Sequence, residues 1–110
     1  MAIGSSELTA RVAVLRPGPP TDDGISVVPG VLAQVAVLDA RRRDLSDGER
    51  VRGGIPSSRL VARFVVHAGA DVRRSDVLEH QGQRFAVTGI RALDRLWVEV
   101  SAAAEVGGMA

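Results

Sequence analysis

Residues 59–68 have the sequence RLVARFVVHA, and the spacing of their apolar side chains sets the expected fold class. One face of the segment carries Leu60, Ala62, Phe64 and Val66. The residues between them are Arg59, Val61, Arg63, Val65 and His67. Successive side chains of a strand point to opposite sides of a sheet, so a period of two indicates a β-strand with one buried face. We therefore predict a strand here, with the face that carries Phe64 in the core.

Five further segments extend this pattern along the chain. We predict strands at residues 7–15, 31–40, 77–80, 83–88 and 93–101. Glycine and proline separate these segments, and 17 valines against 9 leucines favour strands. Residues 31–40 are apolar on both faces, so periodicity alone leaves a buried strand or a short helix open there. Six short strands in one small domain suggest a closed barrel or a compact sandwich, and we predict an all-β fold, a small six-stranded antiparallel β-barrel with long loops, because closure removes exposed sheet edges.

The composition limits the classes of function. A chain of 110 residues forms a single domain, here residues 1–110. There is no cysteine, so no thiolate site exists, and a metal site would need carboxylates beside His67 and His80. No serine has the glycine elbow of a nucleophile, and the glycine pair at residues 53–54 lacks the lysine of a phosphate-binding loop. We expect no catalytic site, no metal, no cofactor and no enzymatic activity.

Targeting signals and net charge add further expectations. The first residues lack the basic and apolar regions of a secretory signal, and no apolar run approaches the roughly 20 residues of a membrane helix. All 14 basic residues are arginine, yet the net charge is only +1, so the chain average supplies no strong field for nucleic acid. We expect a soluble intracellular domain without membrane association.

The longest polar stretch, residues 41–58, is the first candidate site. Its charged candidates are Arg41, Arg42, Arg43, Asp44, Asp47, Glu49, Arg50 and Arg52. We predict a long irregular loop, because loops of this length in a compact domain are usually functional or disordered. Its arginines can bind DNA phosphate, pair with acids of a neighbouring subunit, or pair with the nearby acids of a solvated loop.

Trp97 is the second candidate. It is the only tryptophan, and it falls on the face of the last predicted strand opposite Leu96, Val98 and Val100. It either points outward as an interface residue, since aromatics are enriched at interfaces, or packs under the long loop or the C-terminal tail. Residues 102–110 are small in character and are predicted to form a flexible tail. Residues 16–30 are predicted to form a second long irregular loop.

Residues 75–90, SDVLEHQGQRFAVTGI, carry a resemblance to a known family. The pattern residues are Asp76, Val77, Leu78, Gly82, Phe85, Val87, Gly89 and Ile90. With the first strand ending in Arg-Pro and the order of strands and loops, the chain resembles the head–tail joining proteins of tailed bacteriophages, also called head-completion or stopper proteins. The resemblance covers about residues 8–106. The chain departs from the family at Phe85, where tyrosine is frequent, and at residues 28–31, where a tryptophan is frequent.

The resemblance implies a structural virion protein. Members form a homo-oligomeric ring at the head–tail connector, below the portal and its adaptor protein, where they close the DNA-filled capsid and dock the tail terminator or tail tube protein. The partners would include packaged double-stranded DNA in the channel, and no membrane. The location would be a phage or gene transfer agent particle, assembled in the bacterial cytoplasm. In relatives the long loop after the second strand gates the channel, a role that falls here to residues 41–58.

The alternative is a small β-barrel module that binds nucleic acid. Such modules usually present aromatic side chains on which bases stack. The chain has three aromatic residues, and the predicted strand faces place Phe64 and Phe85 in the core. The stacking platform is therefore missing from the sequence pattern.

Overall fold

The computed structural model describes residues 8–28, 30–55 and 59–105. The strands are β1 (Ala10–Pro17), β2 (Thr21–Asp22), β3 (Val27–Val28), β4 (Leu32–Asp44), β5 (Arg59–His67), β6 (Val77–His80), β7 (Gln83–Ala92) and β8 (Trp97–Glu105). A short helix, α1 (Asp47–Arg52), lies between β4 and β5. The all-β prediction is confirmed.

Six of the strands close into a ring. Their order is β1-β4-β5-β8-β7-β6, with every neighbouring pair antiparallel, and the pairing of β1 with β6 completes the closure. β2 and β3 pair separately as a two-stranded hairpin. The six-stranded antiparallel barrel predicted from the sequence is therefore confirmed, and the two short strands are an addition to it.

The barrel interior is filled by side chains. The largest fully buried apolar ones are Phe64, Phe85, Leu78, Val12, Val14 and Val100. Phe64 and Phe85 meet edge to face with their ring centroids 5.5 Å apart, the arrangement that the charge distribution of aromatic rings favours. Ala62, Phe64 and Val66 are buried, as the alternation in residues 59–68 predicts.

Two predicted irregular segments are strands. Residues 41–44 end β4 and pair with β5, Arg43 lying opposite Arg63, so the loop prediction is wrong for Arg41, Arg42, Arg43 and Asp44. The inward position of Arg42 hides the apolar alternation on which the sequence prediction depends. The predicted tail begins as strand too, because β8 runs to Glu105 and buries Ala102 and Ala104 inside the barrel. Residues 106–110 lie outside the described residues.

The rest of the predicted loop 41–58 contains helix α1. Ser46 caps it: its hydroxyl oxygen accepts from the Glu49 N–H, and the Glu49 carboxylate accepts from the Ser46 N–H. This reciprocal pair satisfies two backbone donors that a helix start would leave unbonded. Residues 56–58 lie outside the described residues.

The predicted loop at residues 16–30 is largely a β-ribbon. β1 and the first half of β4 pair as far as Pro17 and Leu32, and the Gly18 N–H then donates to the Val31 carbonyl oxygen at 3.0 Å. The β2–β3 hairpin continues beyond this point. We call residues 17–28 and 30–37 the arm. Among the described residues, no strand pairs with the second edge of β4 over residues 32–40.

Candidate functional site

A groove lies on the outer face of the barrel, across β4, β5, β8 and β7. The strand register places Arg41 opposite Val65, Val65 opposite Glu99, and Glu99 opposite Arg91, all in one row. The next row holds Arg43 and Arg63. The groove has a volume of about 300 Å³ and is lined by Arg41, Arg43, Arg63, Val65, Arg91, Leu93 and Glu99.

The lining of this groove is strongly basic. It contains four arginines and one glutamate, an excess of three positive charges in a chain whose net charge is +1. Glu99, whose side chain is 15% exposed, lies 3.1 Å from the Arg91 guanidinium. Arg63 makes no ion pair with a described residue. The groove is therefore suited to an anionic group, with an apolar floor at Val65 and Leu93.

Glu49 of helix α1 reaches the edge of the groove. Its carboxylate lies 3.2 Å from Arg43. The hydrogen bond from the Ser46 backbone, followed by that from Arg43, lowers the pKa of Glu49 to about 2. Glu49 therefore stays ionised and offsets the charge of Arg43, as Glu99 offsets that of Arg91, whereas Arg63 has no ion pair with a described residue.

The predicted arginine run divides between two faces of β4. Arg41 and Arg43 line the groove. Arg42 points to the core side, where its guanidinium lies 5.0 Å from the Phe85 ring centroid and its Nη1 lies 2.9 Å from His80 Nδ1. Its Nε donates to Asp44 at 2.7 Å. These contacts hold Arg42 against the barrel core, while the Asp44 side chain is 46% exposed, and a contact of either residue with DNA or a neighbour stays a prediction.

The remaining charged candidates lie on α1 and outside the groove. Arg50 donates from Nη2 to the Arg59 carbonyl oxygen at 2.7 Å and so ties α1 to β5. Arg52 is exposed in the last turn, and Asp47 is the first helical residue. The structure thus brings Arg41, Arg43 and Glu49 together and leaves the other α1 charges apart from them.

Sequence analysis missed five residues of the groove: Arg63, Val65, Arg91, Leu93 and Glu99. The alternation in residues 59–68 does place Arg63 on the outer face of its strand. What the sequence lacks is the register, because β7 and β8 bring their residues to β5 from about 30 positions along the chain.

Trp97 is buried, and its predicted interface role is corrected. It does lie on the face opposite Val98 and Val100, as predicted, yet only 5% of it is exposed. Its ring stacks on His67 with centroids 4.4 Å apart, and it packs with Val65 and Leu8. Leu8, in the segment before β1, therefore forms part of its cover.

The arm carries the principal exposed apolar surface. Its exposed aliphatic side chains are Ile25 (94%), Val31 (84%), Val27 (65%), Val28 (48%), Val35 (48%) and Val37 (43%). They are six of the nine large apolar side chains that are exposed among residues 8–28, 30–55 and 59–105. Soluble monomers seldom expose a large contiguous apolar patch unless it binds something.

The tip of the arm is a rigid turn. Asp22 Oδ1 accepts from the Gly24 N–H at 2.8 Å, and Asp23 Oδ1 accepts from the N–H groups of Ile25 and Ser26 at 2.9 and 2.8 Å. Bonds of this kind fix the backbone of a turn. Those from Ser26 and Ile25 hold the pKa of Asp23 below its usual value, so the tip is anionic. The exposed Ile25 side chain thus belongs to a turn that also carries two fixed carboxylates.

A buried ion pair anchors the base of the arm. Arg16 donates from Nε to Asp76 Oδ1 at 2.8 Å and from Nη2 to Asp76 Oδ2 at 2.9 Å. The Arg73 N–H adds a bond at 2.8 Å, and the Asp76 side chain has no exposure. The pair joins the end of β1 to the segment before β6.

The pattern behind the family resemblance therefore consists of structural residues. Asp76 holds Arg16, which is the arginine of the Arg-Pro pair that ends β1. Leu78, Phe85 and Val87 fill the core.

Within residues 8–28, 30–55 and 59–105, no group of three or more His, Asp or Glu side chains is placed to hold a metal ion. In the same ranges, no helix has the length and apolar character needed to cross a membrane.

Comparison with known proteins identifies a fold and no family. No protein-family model matches the chain, and no curated protein matches it. The chain is similar to the solution structure of protein SF1141 from Shigella flexneri 2a, with a TM-score of 0.72 and 15% sequence identity. The match covers 99% of this chain and 100% of that one. At this identity, the similarity establishes the shared fold alone.

Proposed function

We propose that this chain is a structural protein of a tailed phage or gene transfer agent particle. It forms a ring at the head–tail connector, where it closes the DNA-filled head and docks the tail. The support is the resemblance of residues 8–106 to head–tail joining proteins, together with the small six-stranded barrel. The partners are further copies of the chain, the portal adaptor protein above, and the tail terminator or tail tube protein below.

The exposed aliphatic surface of the arm carries this proposal. Residues such as Ile25 and Val31 are almost fully in water in the isolated chain. Burial of apolar area contributes about 25 cal/mol per Å², so an arm of this composition gains stability when another protein covers it. A protein whose work is assembly uses such a surface, and an isolated binding module has no need of it.

The placement of the aromatic residues supports assembly over the nucleic-acid-binding alternative. Phe64 and Phe85 have no exposure, and Trp97 has 5%. Bases of single-stranded nucleic acid bind by stacking on exposed aromatic side chains. With these three buried, no phenylalanine or tryptophan ring is exposed for a base to stack on.

Within the ring, we propose that residues 45–58 form the part that faces the channel and its DNA. This segment contains α1, which is joined to the barrel by the exposed pair of Glu49 with Arg43 and by the hydrogen bond from Arg50 to the Arg59 carbonyl oxygen. Exposed pairs contribute up to about 1 kcal/mol. We propose that α1 changes position by giving up such surface contacts while the barrel stays intact.

The proposal is tested with particles made without the protein. We expect filled heads that carry no tails and lose their DNA to added nuclease, and we expect purified protein to restore tail attachment and DNA retention. Ile25→Asp should abolish this restoration, while Val51→Asp, at an equally exposed aliphatic residue of α1, should leave tail attachment intact. Heads that keep their DNA and accept tails without the protein would contradict the proposed function.

A further inference from the structure

The arm tip and the groove are complementary in charge and in apolar character. The tip presents Ile25, 94% exposed, in the same turn as the carboxylates of Asp22 and Asp23. The groove presents an apolar floor below guanidinium groups. We propose that copies of this chain join head to tail, with the hairpin tip of one copy seated in the arginine groove of the next. The inference rests on the proposed function, because it names the contact that builds the ring.

The tip keeps charge available for a partner. Each turn bond uses Oδ1 of its aspartate, and no bond from a described residue reaches Oδ2 of Asp22 or Asp23. Carboxylates accept charge-assisted hydrogen bonds from arginine, and these are stronger than bonds between neutral groups. Because the turn is already ordered, docking costs little conformational entropy.

The groove lacks a partner for part of its charge. Glu49 pairs with Arg43, and Glu99 pairs with Arg91. Arg63 has no ion pair with a described residue. Leu93, 38% exposed, and Val65 provide the apolar floor. Two aspartates and an isoleucine in one turn supply both kinds of contact that this lining offers, ionic and apolar.

The tip of one copy cannot reach the groove of the same copy. The arm leaves the barrel at the Leu32 end of β4, and Arg41 lies nine residues further along the same strand. At about 3.3 Å per residue, that separation is roughly 30 Å, and the hairpin follows the Pro17–Leu32 end of the β1–β4 pairing, which is the end far from Arg41. The contact is therefore between copies. Because it joins two different surfaces, it propagates head to tail and forms a ring when the rotation closes.

DNA phosphate is a different occupant, and the groove fits it less well. Glu99, which pairs with Arg91 inside the groove, repels a phosphate and a carboxylate alike, so charge alone does not choose between the two occupants. Val65 and Leu93 have no counterpart in a sugar–phosphate backbone. Duplex DNA is therefore also added to the cross-linking mixture, so that this occupant gives a separate result.

Disulfide cross-linking tests the contact directly, because the chain has no cysteine of its own. Ile25→Cys protein is mixed with Leu93→Cys protein under mild oxidation. We expect a cross-linked dimer from the mixture and, from the double variant, a ladder that ends at the ring. The control replaces Leu93→Cys with Ala86→Cys, an exposed position of β7 about 23 Å away along the strand. All three sites are exposed, so folding should be unaffected.

Charge removal tests the electrostatic part. Asp22→Asn and Asp23→Asn together keep the side-chain oxygens that fix the turn and remove the charges. We expect about tenfold less cross-linked product at low salt, with a smaller difference in 0.5 M salt, since ions screen exposed charges. An equal yield from the control mixture, or from Ile25→Cys protein alone, would overturn the head-to-tail contact.

The outcomes separate this inference from the proposed function. Rings that form without the Ile25–Leu93 cross-link refute the contact and leave the ring protein standing. Duplex DNA whose binding is lost in Arg63→Glu, in protein that gives no Ile25–Leu93 cross-link even without DNA, makes the groove a DNA site and refutes the contact. Heads that hold DNA without the protein refute the proposed function, whatever the cross-linking shows.

Discussion

Replacing Asp76 with asparagine tests the ion pair at the base of the arm. Asparagine keeps the shape of the side chain and one carbonyl oxygen, but it removes the negative charge. The Arg16 guanidinium, whose side chain is 19% exposed, then loses the carboxylate that it contacts at 2.8 and 2.9 Å. Its remaining carboxylate partner among residues 8–28, 30–55 and 59–105 is Asp71, at 3.3 Å.

The magnitude follows from the burial of Asp76. Breaking a buried ion pair by removing one partner costs about 3–5 kcal/mol. Arg16 retains some contact with water and with Asp71, and asparagine still accepts a bond, so we expect the lower end, about 3 kcal/mol. At about 4–8 °C per kcal/mol for a domain near this size, the unfolding midpoint should fall by roughly 12–24 °C.

The loss should depend on pH. The hydrogen bond from Arg16 is the largest cause that holds the pKa of Asp76 below its usual value. A carboxylate with a lowered pKa stabilises the folded state above its unfolded pKa, near 3.9, and this stabilisation is lost as the pH falls through the folded value. The difference between the wild type and Asp76→Asn should therefore be largest at pH 7 and should narrow below about pH 4.

Denaturant unfolding at pH 7, 4 and 2.5 measures this difference. The matched control is Glu79→Gln, which breaks the exposed pair between Glu79 and Arg84 and should cost less than about 1 kcal/mol. If Asp76→Asn costs no more than Glu79→Gln at pH 7, or if its cost is the same at every pH, the ion pair is not the anchor described here.

Three further predictions concern the arm, the barrel end and helix α1. A Cβ at Gly30 would clash with the backbone oxygen of Gly18 in the facing segment of the arm. Gly30→Ala should therefore cost about 1–3 kcal/mol of unfolding free energy and speed amide exchange in the arm. Gly69→Ala, with open space around it, should do neither. Burial, then the charge of Arg42, lowers the pKa of His80, so the folded state disfavours its protonated form. Wild-type stability should therefore fall as the pH decreases from 7 to 5, and thermal unfolding of His80→Gln should show no such fall. Deleting residues 45–52 should leave barrel unfolding cooperative but let filled heads leak DNA before tail attachment; unchanged retention would rule out a gate.

Local alternation predicts the strands whose inward side chains are all apolar. Residues 59–68 contain Ala62, Phe64 and Val66 at alternate positions, and all three are buried. Prediction from alternation misses the strand at Arg42, because an arginine that points inward interrupts the series of apolar side chains. Its position is satisfied only by distant residues, the ring of Phe85 and the imidazole of His80, which no local pattern indicates.

The prediction of a flexible tail at the end of β8 is wrong for a different reason. Ala102 and Ala104 have low strand propensity, so their composition suggests a flexible tail. Pairing with Ala62 and Leu60 of β5 places both alanines against the core, where small side chains fit and tertiary contacts override propensity. The groove is beyond local prediction altogether, since it exists only through the register of four strands.

Strand β4 links the two surfaces that the proposed assembly uses. It begins beside the arm at Leu32, and it ends in the groove wall at Arg41 and Arg43. The pair of Arg16 with Asp76 fixes the arm end to the barrel, and pairing with β5 fixes the groove end. The distance and angle between tip and groove are therefore set by one continuous strand. A head-to-tail contact repeated at a fixed angle closes after a fixed number of copies, so the geometry of β4 would determine the size of the ring.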